Sequence, residues 1–178
     1  MVRLDPIALA HAPAVQALAS DHRISATSNV PFPYPPDGAA SWIRYTLAQR
    51  AQGREINFAM FASPDGLETL VGVCGVLNIE GRPPRGELGY WVGVPYWNRG
   101  YASAAARELV RRAFEEHGIE TLYSSCLVRN PASFRVLEKA GFRHVGYGTH
   151  PHEKWTAADR FALFEVTREE WRRSAACL

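Results

Sequence analysis

Gly86-Glu87-Leu88-Gly89-Tyr90-Trp91-Val92-Gly93-Val94-Pro95-Tyr96-Trp97-Asn98-Arg99-Gly100-Tyr101-Ala102-Ser103 is the stretch on which the fold turns. Glu87 to Val94 reads as a strand, and Pro95 ends it because it has no amide donor for a ladder. From Gly100 to His117 the period changes. Ala102, Ala106, Leu109 and Ala113 form a stripe, Arg107, Glu108, Arg111, Arg112 and Glu115 fall mostly outside it, and Gly118 closes the helix. A strand from Thr121 to Val128 follows, so the unit predicts a right-handed parallel crossover. In the connecting loop, small residues at Gly100, Ala102 and Ser103 leave successive backbone N–H groups accessible. A helix N-terminus carries roughly half a positive charge and unpaired donors, which favours an anion such as a pyrophosphate. An ordinary strand-to-helix turn is the competing reading of this loop taken alone. Neither G-x-G-x-x-G nor G-x-x-x-x-G-K-[ST] occurs, which weakens a dinucleotide or nucleoside triphosphate as the ligand.

Upstream of this unit, Ile56–Phe61 and Leu70–Leu77 flank the turn Ser63-Pro64-Asp65-Gly66 as an antiparallel hairpin, and a polar turn from Glu80 to Gly86 leads into the third strand. Earlier still, residues 7–20 have near-helical apolar spacing, with Pro13 tolerable only where the helix proper begins near it. Asn29–Pro36, with four prolines, is a stiff loop, and Asp37 is placed to cap a helix carrying Trp42, Ile43 and Leu47 that stops at Gly53. Downstream, Asn130 and Pro131 stand as N-cap and first residue of a short helix to Ala140, with Gly141 as its stop. Strands around Phe142–Tyr147 and Phe161–Val166 follow, and Thr167 and Glu170 have capping-box spacing for a last turn holding Trp171. This order predicts an α/β (α+β) mixed sheet flanked by helices, in a single domain over residues 1–178.

The bulk numbers exclude several classes. With 178 residues, 47% hydrophobic and 21% charged, the chain can bury a sizeable core, and a formal charge of +2 is too small to indicate a nucleic-acid partner. Cys74, Cys126 and Cys177 form no CxxC pair and an odd total, which suits a reducing, cytoplasmic setting and neither a disulfide framework nor a zinc site. Cys74 and Cys126 lie in strand patterns and read as core residues. No window approaches the roughly 18 apolar residues of a membrane span. His150 and His152 flank Pro151 without further ligands, so no metal is expected.

The blocks Gly86–Val92, Tyr96-Trp97-Asn98-Arg99-Gly100-Tyr101-Ala102, Asn130-Pro131-Ala132-Ser133 and Leu137-Glu138-Lys139-Ala140-Gly141-Phe142, in this order and spacing, resemble the GNAT acetyltransferases, and more closely their RimJ/RimL-like branch. The resemblance implies the acyl-CoA N-acyltransferase fold, a mostly antiparallel sheet with one parallel, splayed strand pair. It also implies acetyl-CoA as cosubstrate. The backbone of Val92 and Val94 would pair with the pantetheine arm, with Gly89 and Gly93 suiting a local distortion. The backbone from Asn98 through Arg99, Gly100, Tyr101 and Ala102 to Ser103 would hold the pyrophosphate, and Asn130 would lie beside the pantetheine while serving as a helix cap. Two departures stand out: Trp97 occupies a position where family members commonly have Gln or Arg, and Leu137 replaces a Tyr that protonates the departing thiolate in many relatives. By the same resemblance Ser133 is the substitute acid.

Acetyl transfer to an amine needs the unprotonated amine, a donor for developing oxyanion charge and an acceptable leaving thiolate. Glu87, which starts the strand lining the cleft, is the candidate base, directly or through water, with an exposed strand-end carboxylate as its plain alternative. A backbone N–H near Val92 is the candidate oxyanion donor. The resemblance places the Asn29–Pro36 loop, the helix with Trp42 and the Thr149–Asp159 loop around the acceptor, where Phe32, Tyr34 and Trp155 would form an aromatic wall. The acceptor is expected to be a small-molecule amine or a protein N-terminus, and the protein a monomer or homodimer. Two other readings stay open at this point: a non-catalytic acyl-CoA sensor of the same fold, and a phosphate-ligand-binding α/β protein.

Overall fold

The computed structural model describes residues 1–175, which leaves Cys177 outside the described residues. A short strand, β1 (Arg3–Pro6), precedes a 3-10 turn and helices α1 (Ala12–Ala19), α2 (His22–Ser25) and α3 (Gly38–Ala51). The hairpin β2 (Ile56–Ala62) and β3 (Thr69–Glu80) leads to β4 (Arg85–Val92), and then come α4 (Tyr101–Glu115), β5 (Thr121–Leu127), α5 (Pro131–Lys139), β6 (Arg143–Gly148), β7 (Phe161–Thr167) and α6 (Arg168–Ala175). The strands form one seven-stranded sheet in the order β1-β2-β3-β4-β5-β7-β6. Among the described residues, β4 with β5 is the parallel pair and the other neighbours are antiparallel.

The N-terminal segment differs from expectation. Arg3–Pro6 is an edge strand on β2, and the Ile7 N–H continues the ladder to Asn57 O at 3.0 Å, so helix cannot start at residue 7. It starts at Ala12 instead, with Pro13 in the first turn, where its missing N–H costs nothing. Asp37 flanks α3, but its carboxylate accepts the Ser41 hydroxyl at 2.9 Å rather than a backbone amide. Gln16 of α1 reaches across, accepts the Ala39 N–H at 3.0 Å and donates to Pro35 O at 2.8 Å, tying α1, the proline loop and α3 together. The capping box at Thr167 and Glu170 is formed, with reciprocal contacts of 2.8 and 3.2 Å.

Helices cover both faces of the sheet. On one face the buried stripe of α4 (Ala105, Ala106, Leu109, Val110, Ala113, Phe114) packs with Leu137 of α5 on Phe58, Met60, Cys74, Val76, Leu88 and Phe164. On the other, Val15 of α1 and Ala39 and Ile43 of α3 meet Ala59, Leu70 and Val73. From Val73 onward the odd-numbered residues of β3 and β4 therefore face α1 and α3.

Candidate active site

The site begins where β4 and β5 part. Their parallel ladder has three rungs, Arg85 with Thr121, Gly86 with Leu122 and Glu87 with Tyr123, whereas β4 continues on β3 as far as Val92. At the fork the Ser124 hydroxyl of β5 donates to Leu88 O at 2.7 Å, so a side chain takes over where the main-chain ladder stops. Gly93 N donates to Val71 O at 2.8 Å, which sets the alternation along β4: Leu88, Tyr90 and Val92 turn their main-chain groups toward β5. Beyond Glu87 those of Tyr90 and Val92 look into an open gap.

Of the bulge or splay that Gly89 and Gly93 would suit, the sheet shows the splay, and the β3–β4 ladder stays regular with Gly89 opposite Gly75. The opening comes from divergence of β5. Gly93 has a packing role, because a Cβ there would lie 2.7 Å from the Leu18 side chain. Val94 is a further correction. The strand ends at Val92, and Val94 opens a 3-10 turn with Pro95 that accepts the Trp97 N–H at 3.2 Å. Val94 does not line the cavity below, and the Val92 carbonyl is taken by the Trp97 indole N–H at 2.6 Å, leaving the Val92 N–H as the group that faces the gap. The unexpected Trp97 thus has a structural use.

A cavity of about 540 Å³ opens from the gap toward α4 and α5. Asn98, Arg99, Gly100, Tyr101, Ala102 and Ser103 line it together with Val92 and Asn130. Asn98 and Gly100 have left-handed backbones (φ +60° and +77°), and Gly100 is the N-cap of α4. The first bond of the helix runs from Ala104 N to Gly100 O, so the preceding amides of Tyr101, Ala102 and Ser103 are the free donors of the helix end. Arg135 and Lys139, one turn apart on α5, line the same cavity with Arg99, adding three cations to the helix-end field. Asn130 caps α5, accepting the Ser133 N–H at 3.2 Å.

A second cavity, about 730 Å³, lies on the α1–α3 side and shares Thr27, Ser28, Tyr90, Trp91 and Ser133 with the first. The Tyr90 and Ser133 hydroxyls are 2.7 Å apart, and the tyrosine oxygen is also 3.2 Å from Ser133 O. Burial pushes the Tyr90 phenol up from its usual range, so it remains a protonated donor at neutral pH. Glu87 lines the second cavity, accepting from the Asn78 amide at 3.1 Å and standing 3.6 Å from His150 Nε2. Tyr34 and Trp155 line it as well. Phe32 does not: it is 59% exposed, beside the His22 ring at 6.1 Å. Cys74 and Cys126 are buried, and burial raises both thiols.

Two loops wall this cavity, and one lysine joins them. The Lys154 ammonium shares its three N–H donors among four acceptors within reach, Ser25 O, Ser25 Oγ at 2.7 Å, Ser28 O at 2.8 Å and Val30 O at 3.0 Å, while Trp155 Nε1 donates to Asn29 Oδ1 at 2.7 Å. Hydrogen bonds to charged groups contribute about 1.5–3 kcal/mol. Lys154→Met is therefore expected to lower Tm by roughly 4–8 °C, the shift about 2 kcal/mol produces in a chain of this size. An unchanged Tm in thermal melts would show that Lys154 does not hold the two loops together.

Several lining residues were not singled out from the sequence. Arg135 and Lys139 carried a usable signal, cations at i,i+4 one turn beyond the Asn130-Pro131 cap. Tyr90, Glu55 and Asn57 carried none, since each reads as an ordinary strand residue until the sheet is assembled.

Residues 2–143 match the acetyltransferase (GNAT) domain family, and the chain belongs to that family. It is 37% identical over 97 residues to the FsC-acetyl coenzyme A-N(2)-transacetylase of Aspergillus fumigatus, an alignment covering 52% of this chain and 40% of that protein. The chain thus spans less than half of that relative's length. Among solved structures, Mycobacterium smegmatis RimJ in complex with CoA-disulfide superposes with a TM-score of 0.81 at 22% identity, covering 98% of this chain and 88% of that one. Spermidine N-acetyltransferase from Vibrio cholerae in complex with CoA and spermine gives 0.80 at 13% identity, covering 96% and 98%. At these identities the two structures speak to the fold, which is the GNAT fold with RimJ/RimL-type neighbours.

Proposed function

We propose that this chain transfers an acetyl group from acetyl-CoA to a primary amine by direct attack within a ternary complex. The observation that carries the reading is the meeting of two cavities at Tyr90 and Ser133, one lined by a helix N-terminus and three cations, the other by a carboxylate. The residues fit an acyl-CoA: the amides of Tyr101–Ser103 with Arg99, Arg135 and Lys139 suit a diphosphate, and the Val92 N–H in the strand gap suits an extended amide-bearing tail. When bound, acetyl-CoA supplies the activated acyl group and a thiolate leaving group.

The rest falls to the chain's own side chains and amides. Glu87, held by Asn78 and near His150, takes the proton from the incoming ammonium, directly or through water. The Val92 N–H is the donor available to oxygen on which charge develops. Ser133 delivers a proton to the sulfur and is oriented by Tyr90. The open acceptor cavity favours catalysis over a sensor whose acceptor site is closed.

A thiol-release screen over peptides with varied N-termini, polyamines and aminoglycosides tests the proposal; no thiol release above hydrolysis with any amine would overturn it. Glu87→Gln is expected to lower kcat/KM at pH 7 by about 10- to 100-fold for an amine of pKa near 10.4, and by less for an N-terminal amine of pKa near 8. The deficit should shrink as pH rises and more amine is already unprotonated. A pH-independent deficit would remove Glu87 as the base.

A further inference from the structure

The floor of the acceptor cavity holds a second carboxylate that the mechanism leaves unused. Glu55 directly precedes β2, is only 7% exposed and lines the 730 Å³ cavity. One of its oxygens accepts Asn57 Nδ2 at 2.8 Å, and the other has no protein partner among the described residues. The neighbouring Arg54 makes no ion pair with it within 4 Å, its guanidinium donating to Gln52 Oε1, although its charge favours the Glu55 carboxylate from a distance. Burial raises the Glu55 carboxyl above its usual range.

The register explains how this group is held and what it faces. Asn57, Gly75 and Gly89 form one cross-strand row, and Leu77 with Glu87 begins the next. Side-chain alternation places Glu55 on the same face as Asn57, at the β2 end of the row that Glu87 closes on β4. Strands about 4.8 Å apart put the two backbones roughly 10 Å from each other, with both side chains bordering one cavity. Gly75 is essential to this floor: a Cβ there would lie 2.1 Å from Asn57 Oδ1, the amide that orients Glu55.

We propose that Glu55 sets acceptor specificity by binding a second cationic nitrogen, so that the preferred substrates are short diamines or amines carrying another cationic group rather than monoamines. The inference rests on reading the larger cavity as the amine site. The Glu55 oxygen that Asn57 does not reach opens on the cavity, where a second cationic nitrogen would meet a carboxylate largely withdrawn from water, whereas a monoamine held at Glu87 leaves that oxygen to solvent.

The test is calorimetric titration of the CoA-saturated protein with terminal diaminobutane and with butylamine. Wild type is expected to bind the diamine at least about tenfold more tightly. In Glu55→Gln, which keeps the shape and can still accept from Asn57, the gap should close to about twofold with CoA affinity unchanged, and Glu55→Asp should restore part of it. Equal affinities in wild type, or a gap that survives in Glu55→Gln, would overturn the proposal. Because binding is read without turnover, failure of acetyl transfer would count against the proposed activity and leave the selectivity result standing on its own.

Discussion

Ser133→Ala is expected to reduce kcat by about 10- to 100-fold at saturating acetyl-CoA, with the cofactor's affinity changed by no more than about twofold. General acid catalysis typically contributes 10²–10⁴-fold, and a thiol with a pKa near 8.5 is already a fair leaving group, which puts the effect toward the low end. Removing the hydroxyl leaves the Asn130 cap intact, since that bond uses the Ser133 backbone N–H. The 2.7 Å contact to Tyr90 divides the roles. If Tyr90 orients Ser133, Tyr90→Phe should cost about threefold to tenfold, the worth of one net hydrogen bond, and the double variant should be no slower than Ser133→Ala. Single-turnover thiol release distinguishes the alternatives. A larger loss in Tyr90→Phe than in Ser133→Ala would make the phenol the acid, and full kcat in Ser133→Ala would remove Ser133 from the chemistry.

Gly100→Val should weaken acetyl-CoA binding by about tenfold or more in calorimetry. Gly100 sits at φ +77°, a conformation that costs an L-residue roughly 1–2 kcal/mol and a β-branched one more. No atom lies within 4 Å of where the new Cβ would sit, so the penalty is conformational rather than a clash. The loop relieves it by rotating the first amides of α4 away from the cavity, while the buried stripe from Ala105 to Phe114 keeps the helix docked. Thermal stability should therefore fall by only a few degrees while cofactor affinity falls sharply. Unchanged affinity would mean that these amides do not hold the diphosphate.

Much of the fold was legible because its signals are local. The hairpin around Ser63–Gly66, the amphipathic α4 closed by Gly118 and the Asn130-Pro131 cap each declare themselves within a few residues, and each is present. The N-terminal strand was not legible: four residues with two charges and a proline have no periodicity, and they become a strand only by pairing with β2. β4 was read two residues too far, to Val94, since the strand ends at Val92 and a 3-10 turn begins at the residue before Pro95. The cavity at the start of α4 was more readable than the one on the α1–α3 side for the same reason. Its Asn98–Ser103 turn lies in contiguous sequence, whereas Glu55, Gly75 and Tyr90 border one cavity only through the register of three strands. Phe32 and Tyr34, two residues apart in one proline-rich loop, end on the surface and in the cavity respectively, a difference that spacing alone does not encode.

The three-rung junction of β4 and β5 has a consequence for how such a chain changes over time. It divides the labour of the sheet: strands β2 to β4 floor the larger cavity, while α4 and α5 border the smaller one beyond the fork. Residues such as Glu55 and Asn57 can be exchanged without touching the helix ends, so the floor of one cavity is free to vary while the frame around the other is inherited unchanged.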